Sequence, residues 1–284
     1  GLRSVRFPAA WALGLAILPL AAEAGDRLWY RQPASTWSEA LPVGNGRLGA
    51  MVFGGVENER LQLNESSVWS GGPGDYDRVG AWRFLPEIRG LLFSGRVKEA
   101  ETLINREFLG ERPAGAYQPL ADLWLDFELS GPVTNYRREL DLASGVVQTT
   151  FGSGNTDYVR EGFASAPDQI VVVRLTANTP GAISFHARLT RPGDSVTVDA
   201  SVAGLTLEGQ ADAGLPTAGV RFAARLQVDQ EAGRVRAIDG ALHVEGADAV
   251  TLRFAAATDF QEADAAVACV QQLKQAARLD CETL

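Results

Sequence analysis

The segment DLWLDFEL, residues 122–129, alternates Leu123, Leu125, Phe127 and Leu129 with Asp122, Trp124, Asp126 and Glu128. A period of two sends these sets to opposite faces of an extended strand, one apolar and one mostly polar. The same rhythm returns at 136–142, 145–151, 156–163, 169–176, 182–190, 195–209, 218–228 and 248–257, with Gly, Pro and Asp between the runs. Strands spaced by about 8–12 residues with no helices between them predict antiparallel sheets stacked as a sandwich, and they exclude Rossmann and TIM architectures.

Upstream, the text from Leu28 to Trp82 is dense in Gly, Asn, Trp and Pro, a composition of tight turns and short strands. Residues 47–53 and 60–63 read as strands, with Gly54-Gly55 turning between them. From Trp82 to Phe108 the period changes, with Leu85, Ile88, Leu91, Leu92, Val97, Ala100, Leu103 and Ile104 recurring at helical spacing. Ser94-Gly95 divides this stretch into two helices, and Ser94 is the expected N-cap of the second. Downstream, Ala263–Leu279 reads as a helix with Val267, Val270, Leu273 and Ala277 on one face. The expected fold is mainly β: a large two-sheet antiparallel β sandwich with a short helical insertion and a C-terminal linker helix.

The chain of 284 residues carries 35 acidic against 26 basic side chains, a net charge of −9. That balance argues against nucleic acid or an anionic membrane as partner. Two His and two Cys leave little for a zinc site, so no metal or cofactor is expected. At the N-terminus, Arg3 and Arg6 precede an apolar run from Ala9 to Leu20 and then Ala22-Glu23-Ala24, the pattern of a signal peptide cleaved after Ala24. The run is short of the roughly 20 residues that span a bilayer. Residues 1–24 therefore read as a leader, with a mature chain from Gly25 that is periplasmic or secreted and free of the membrane after cleavage. Gly1 stands where an initiator Met would, which reads as a piece of a longer chain. Cys269 and Cys281 are twelve positions apart in a helical pattern, roughly 18 Å, too far for an intrachain bridge.

The candidate chemistry lies in TWSEALPVGNGRLGAMVFGG (36–55) and QLNESSVWSGGPGDYD (62–77). Aromatic faces stack on sugar C–H patches while Asn, Glu and Arg bond hydroxyls, so Asn45, Arg47, Glu65 and Trp69 are the candidate substrate-binding residues. Glu65 with Asp75 or Asp77 could supply two carboxylates for glycoside cleavage, although Asp and Asn beside Gly are also ordinary turn residues. GNGRLG (44–49) lacks the βαβ setting of a nucleotide loop, no GxSxG elbow occurs, and His186 and His243 sit in strand patterns.

Several blocks, in order, resemble the N-terminal domain of glycoside hydrolase family 95, the inverting α-L-fucosidases and some α-L-galactosidases. They are LPVGNGRLGAMVFGG (41–55), LQLNESSVWSGGPGDYD (61–77), LPEIRGLLFSGRVKEAE (85–101), YQPLADLWLDF (117–127), YRRELDL (136–142) and YVREGFASAPDQIVVVRLTA (158–177). The resemblance implies a β-sandwich domain over 25–260, with 261–284 starting a helical linker to an (α/α)6 barrel. It places the general acid and base in that barrel, so no catalytic residue is expected in this chain. A fucosylated oligosaccharide or polysaccharide and the chain's own barrel are the implied partners. A stand-alone carbohydrate-binding sandwich and the related N-terminal domain of disaccharide phosphorylases are the competing readings; QLNESSVWSGG favours the fucosidase over the latter.

Overall fold

The computed structural model describes residues 26–110, 115–191, 196–211, 214 and 217–279; the expected leader and Cys281 lie outside the described residues. In chain order the first strands are β1 (Arg27–Tyr30), β2 (Leu41–Gly44), β3 (Leu48–Val52), β4 (Asn58–Glu65) and β5 (Ala121–Phe127). They continue with β6 (Val133–Asp141), β7 (Val146–Ser153), β8 (Thr156–Ser165), β9 (Ile170–Ala177), β10 (Ile183–Thr190) and β11 (Val196–Ser201). The last are β12 (Gly204–Gln210), β13 (Arg221–Glu231), β14 (Arg234–Ile238), β15 (Ala241–Ala247) and β16 (Ala249–Thr258).

These build two sheets. One has nine strands in the order β1-β6-β7-β8-β9-β16-β13-β12-β11, the other seven in the order β14-β15-β10-β5-β4-β3-β2. All the described pairings are antiparallel. In β5, Ala121, Leu123 and Leu125 are buried while Asp122, Trp124 and Asp126 stay half-exposed, as the alternation requires. Leu61, Leu63 and Phe185 of the smaller sheet share one core with Leu175, Val250, Leu252 and Phe254 of the larger. Burying each such side chain is worth about 1.5–3 kcal/mol, which is what holds the two layers face to face.

Three local expectations are corrected. The run 195–209 is two strands, β11 and β12, which fold back at Val202-Ala203 and pair from Val196↔Gly209 to Ser201↔Gly204. Ser94 does not cap the second helix. Its Oγ donates to the carbonyls of Gly90 and Leu91, closing α1 (Leu85–Phe93), and Gly95 at φ 77° is the left-handed residue that ends that helix. The second helix, α2 (Val97–Leu103), starts at Arg96, whose guanidinium forks onto Glu99. Finally, α3 (Ala265–Ala276) buries Ala268, Cys269, Leu273 and Ala276 rather than a face holding Val267 and Ala277, both of which are exposed. The reason lies underneath. The outer face of the larger sheet presents Ile170, Val172, Ala223, Ala255 and Ala257, and small side chains let helix and sheet close together. Cys269 donates to the Ala223 carbonyl there, and burial pushes its thiol up to about 12, so it packs as an inert apolar group.

Candidate functional site

The turn between β2 and β3 is bolted to the opposite sheet. Asn45 Oδ1 accepts from the amides of Arg47 and Leu48, while its Nδ2 donates 2.8 Å to the Ser165 carbonyl. Arg47 donates to the Gln169 side chain at 2.7 Å, the Gln169 carbonyl at 3.2 Å and the Ala256 carbonyl at 2.6 Å. Its guanidinium also lies 3.5 Å from Glu65, which is 1% exposed. The other Glu65 oxygen accepts from the Ser67 amide and hydroxyl at 2.7 and 2.6 Å, and Ser67 Oγ meets Thr258 Oγ1. Of the four candidates from the sequence, three therefore have their polar atoms bonded inside the chain. Asp75 and Asp77 are exposed turn residues, with Asp75 Oδ1 accepting from the Asp77 amide, so they do not share the buried setting of Glu65.

A second anchor sits behind the Gly54-Gly55 turn. A Cβ on Gly55 would lie 1.9 Å from the Asn58 carbonyl, so only glycine lets β3 and β4 join here. Tyr136 Oη donates 2.6 Å to the Gly54 carbonyl, and Arg160 donates to the carbonyls of Gly55 and Val56 with its guanidinium over Phe127 and Phe151. Glu59, buried, faces Arg160 at 3.5 Å and accepts from the Gly54 amide. Burial pushes its carboxyl up to about 7 against the pull of Arg160, and burial lowers Arg160 to about 10.

Trp69 is placed differently. Its backbone is held on both sides: it bridges Tyr117, and its carbonyl accepts from Val220. A Cβ on Gly219 would fall 2.3 Å from the Trp69 carbonyl, so the close approach of these two segments needs that glycine. With its main chain fixed, the indole stands 47% exposed, its Nε1 donating to the Ser66 carbonyl. One side of it meets the Tyr117 ring at 5.8 Å, and the Tyr117 hydroxyl donates to Asn64. Burial, then the charge of Glu65, raises the Tyr117 hydroxyl above its usual range. On the other side opens a mostly apolar cleft of about 660 Å³ between Trp69, Gly72, Pro73, Val220, Asp259 and Phe260. Phe260 is 73% exposed.

This arrangement offers two aromatic platforms beside amide and carboxylate groups, the equipment for stacking on a sugar ring and bonding its hydroxyls. The sequence pointed to Trp69 but not to Tyr117 or Phe260. Tyr117 opens the block 117–127 but precedes its strand by a few residues, and Phe260 follows the last strand, so neither stands in a Gly-rich loop of the kind that marked Trp69. His186 and His243 pair across β10 and β15 with rings 3.9 Å apart and tilted by 32°, a cross-strand contact. Among the described residues, no group of three or more His, Cys, Asp and Glu is arranged to hold a metal ion.

Residues 28–263 match the family described as Glycosyl hydrolase family 65, N-terminal domain. Alpha-L-fucosidase 2 of Arabidopsis thaliana is 39% identical over 162 residues, covering 56% of this chain and 19% of that protein. Probable alpha-fucosidase A of Aspergillus niger is 36% identical over 228 residues, covering 75% and 28%. The chain thus spans about a fifth to a third of the length of such relatives. A solved structure named "Putative kojibiose phosphorylase from human microbiome" superposes with a TM-score of 0.50 at 10% identity over 90% of this chain and 36% of that one, a likeness of fold. The chain belongs to the Glycosyl hydrolase family 65 N-terminal domain family, and its α-fucosidase relatives place it with the family 95 enzymes that its sequence resembles.

Proposed function

We propose that this chain is the N-terminal domain of an exported α-L-fucosidase that removes terminal α-L-fucosyl residues from oligosaccharides or polysaccharides with inversion. The observation that carries the reading is the 36% identity with an Aspergillus α-fucosidase over three quarters of the chain. An α-L-galactosidase of the same family is the runner-up. In an inverting displacement one carboxylic acid protonates the leaving oxygen while a second carboxylate activates water on the opposite face of the ring. Neither role suits Glu65 or Glu59. Glu65 is bound by Ser67 and Arg47, and Glu59 is sealed in the core. The pair belongs to a following barrel, and the sandwich contributes the cleft at Trp69 as part of the rim around the bound glycan.

Expression of the full-length protein tests this. It should release fucose from an aryl α-L-fucoside faster than galactose from the matching galactoside, with the β-anomer formed first by NMR. Residues 25–284 alone should show no turnover, and the exported protein should begin at Gly25. A full-length protein that cleaves neither glycoside would refute the assignment.

A further inference from the structure

We propose that the helical insertion, residues 81–109, is a docking element whose exposed apolar side chains are covered by the polypeptide that completes the full-length fucosidase. The proposal rests on reading the chain as one domain of such a protein. The insertion leaves the sandwich after Gly80 as a short 3-10 turn (Ala81–Phe84), α1 and α2, and ends in a π turn (Ile104–Phe108). It packs mainly on itself, burying only Ile88, Ala100 and Leu103 among its larger apolar residues and alanines. At its base Arg78, in the loop that leads into it, donates to the Arg106 carbonyl and pairs with Glu107 at 3.8 Å.

Several of its large apolar side chains face water. Trp82 is 71% and Phe93 90% exposed, and Leu92, Val97 and Leu109 are exposed too. Leu92, Phe93 and Val97 flank a single turn, so three apolar side chains crowd one tip. Exposed apolar surface of this kind marks an interface.

In a chain of net −9, residues 81–109 hold five basic side chains against four acidic ones, so the insertion carries none of the chain's acidic excess. An apolar tip on a near-neutral segment fits an apolar hollow. The fucosidase relatives are matched over only 19–34% of their lengths, so most of each such polypeptide lies outside the sandwich and can supply the hollow.

The full-length protein is the test object. Its fucosidase activity is measured first and decides the functional reading by itself. Hydroxyl-radical footprinting then reports Trp82 and Phe93, each corrected for intrinsic reactivity and compared with Val202, which lies exposed at the β11–β12 turn. Both aromatics should react several-fold more slowly than their exposure here implies, at every dilution. In full-length Phe93→Asp, Trp82 should react several-fold faster while Val202 is unchanged; if that variant fails to fold, the unsubstituted footprint decides. Reaction at the exposed rate in an active enzyme would overturn the docking alone. Protection that vanishes on dilution would overturn it in favour of a second copy.

Discussion

Residues 36–65 and 66–110 are neighbouring Gly-rich stretches, and the fold uses them in opposite directions. In the first, polar side chains turn inward: Asn45 and Arg47 fasten one sheet to the other, and Glu59 meets Arg160 in the core. In the second, apolar side chains turn outward, with Trp69, Trp82 and Phe93 all exposed. Gly-rich loops holding the same residue types can serve either as fasteners or as contact surfaces. What separates them is whether the opposite sheet offers carbonyls to bond, as Ser165, Gln169 and Ala256 do for the first stretch.

The sharpest way to break this contrast is at the buried pair. Arg160→Met keeps much of the side-chain volume but leaves the Glu59 carboxyl, the carbonyls of Gly55 and Val56 and the Phe127 ring without their cation. Removing one partner of a buried pair costs about 3–5 kcal/mol. Urea unfolding of the variant should show a loss of that size, whereas an unchanged midpoint would mean that Arg160 does not hold the turn.

The same pair gives a pH signature. The Glu59 carboxyl sits at about 7 in the folded protein against an ordinary 4.5, so the folded state holds an extra proton between those values. Its contribution is full below about 4.5 and is lost as pH rises through about 7, a change on the order of a few kcal/mol. Glu39 and Asp141, which backbone amides of Ser35 and Ser144 hold below their usual range, act at lower pH and in the opposite sense. Unfolding midpoints at about pH 5 and pH 8 should therefore converge in Glu59→Gln relative to the unsubstituted protein. Parallel pH slopes in the two proteins would dismiss the carboxyl as the source.

A smaller effect is expected at Arg47→Ala, which removes the bonds to Ala256 and Gln169 and leaves Glu65 with Ser67 alone. Hydrogen bonds to charged groups are worth about 1.5–3 kcal/mol, and the loss should fall in that range. If the full-length variant instead keeps its stability and loses affinity for substrate, Arg47 belongs to the sugar site and the contrast between the two loops fails.

The sandwich was legible because two-sided strands write their burial into the sequence: Leu123, Leu125 and Phe127 announce β5, and Val171, Val173 and Leu175 announce the inward face of β9. β2 and β14 were not. Leu41–Gly44 is four residues long with a proline, and the edge strand Arg234–Ile238 has too little burial to alternate clearly. The buried face of α3 was misread because alanines and a cysteine, matched to small residues on the sheet, outcompeted Val267. In the site, Trp69 was visible as an aromatic in a Gly-rich loop. The internal roles of Asn45 and Arg47 were not, since their partners at Ser165, Gln169 and Ala256 lie over a hundred positions away in the chain and only the stacking of the sheets brings them near.

The smallest expected effect tests the outward-facing loop itself. In this domain the Trp69 indole is half exposed, while its backbone is held by the Val220 amide and by the flanking bonds of Ser70 to Ala116 and Gln118 to Val68, none of which depends on the side chain. Trp69→Ala should therefore lower the stability of the domain by only about 0.5–1.5 kcal/mol, the worth of its ring contact with Tyr117. In the full-length enzyme the same change removes a stacking partner from the rim, worth about 0.5–1.5 kcal/mol beyond the area it covers. If the ring contacts the glycan equally in the ground and transition states, the loss appears as a raised KM with kcat unchanged. Phe260→Ala, across the cleft, should give the same pattern. The competing possibility is that the cleft receives a following domain rather than a sugar; Trp69→Ala would then lower the melting temperature of the full-length protein and leave the kinetics of its folded fraction intact. Thermal melting and steady-state kinetics on the same preparation separate the two, because a glycan contact moves KM and a domain contact moves Tm alone.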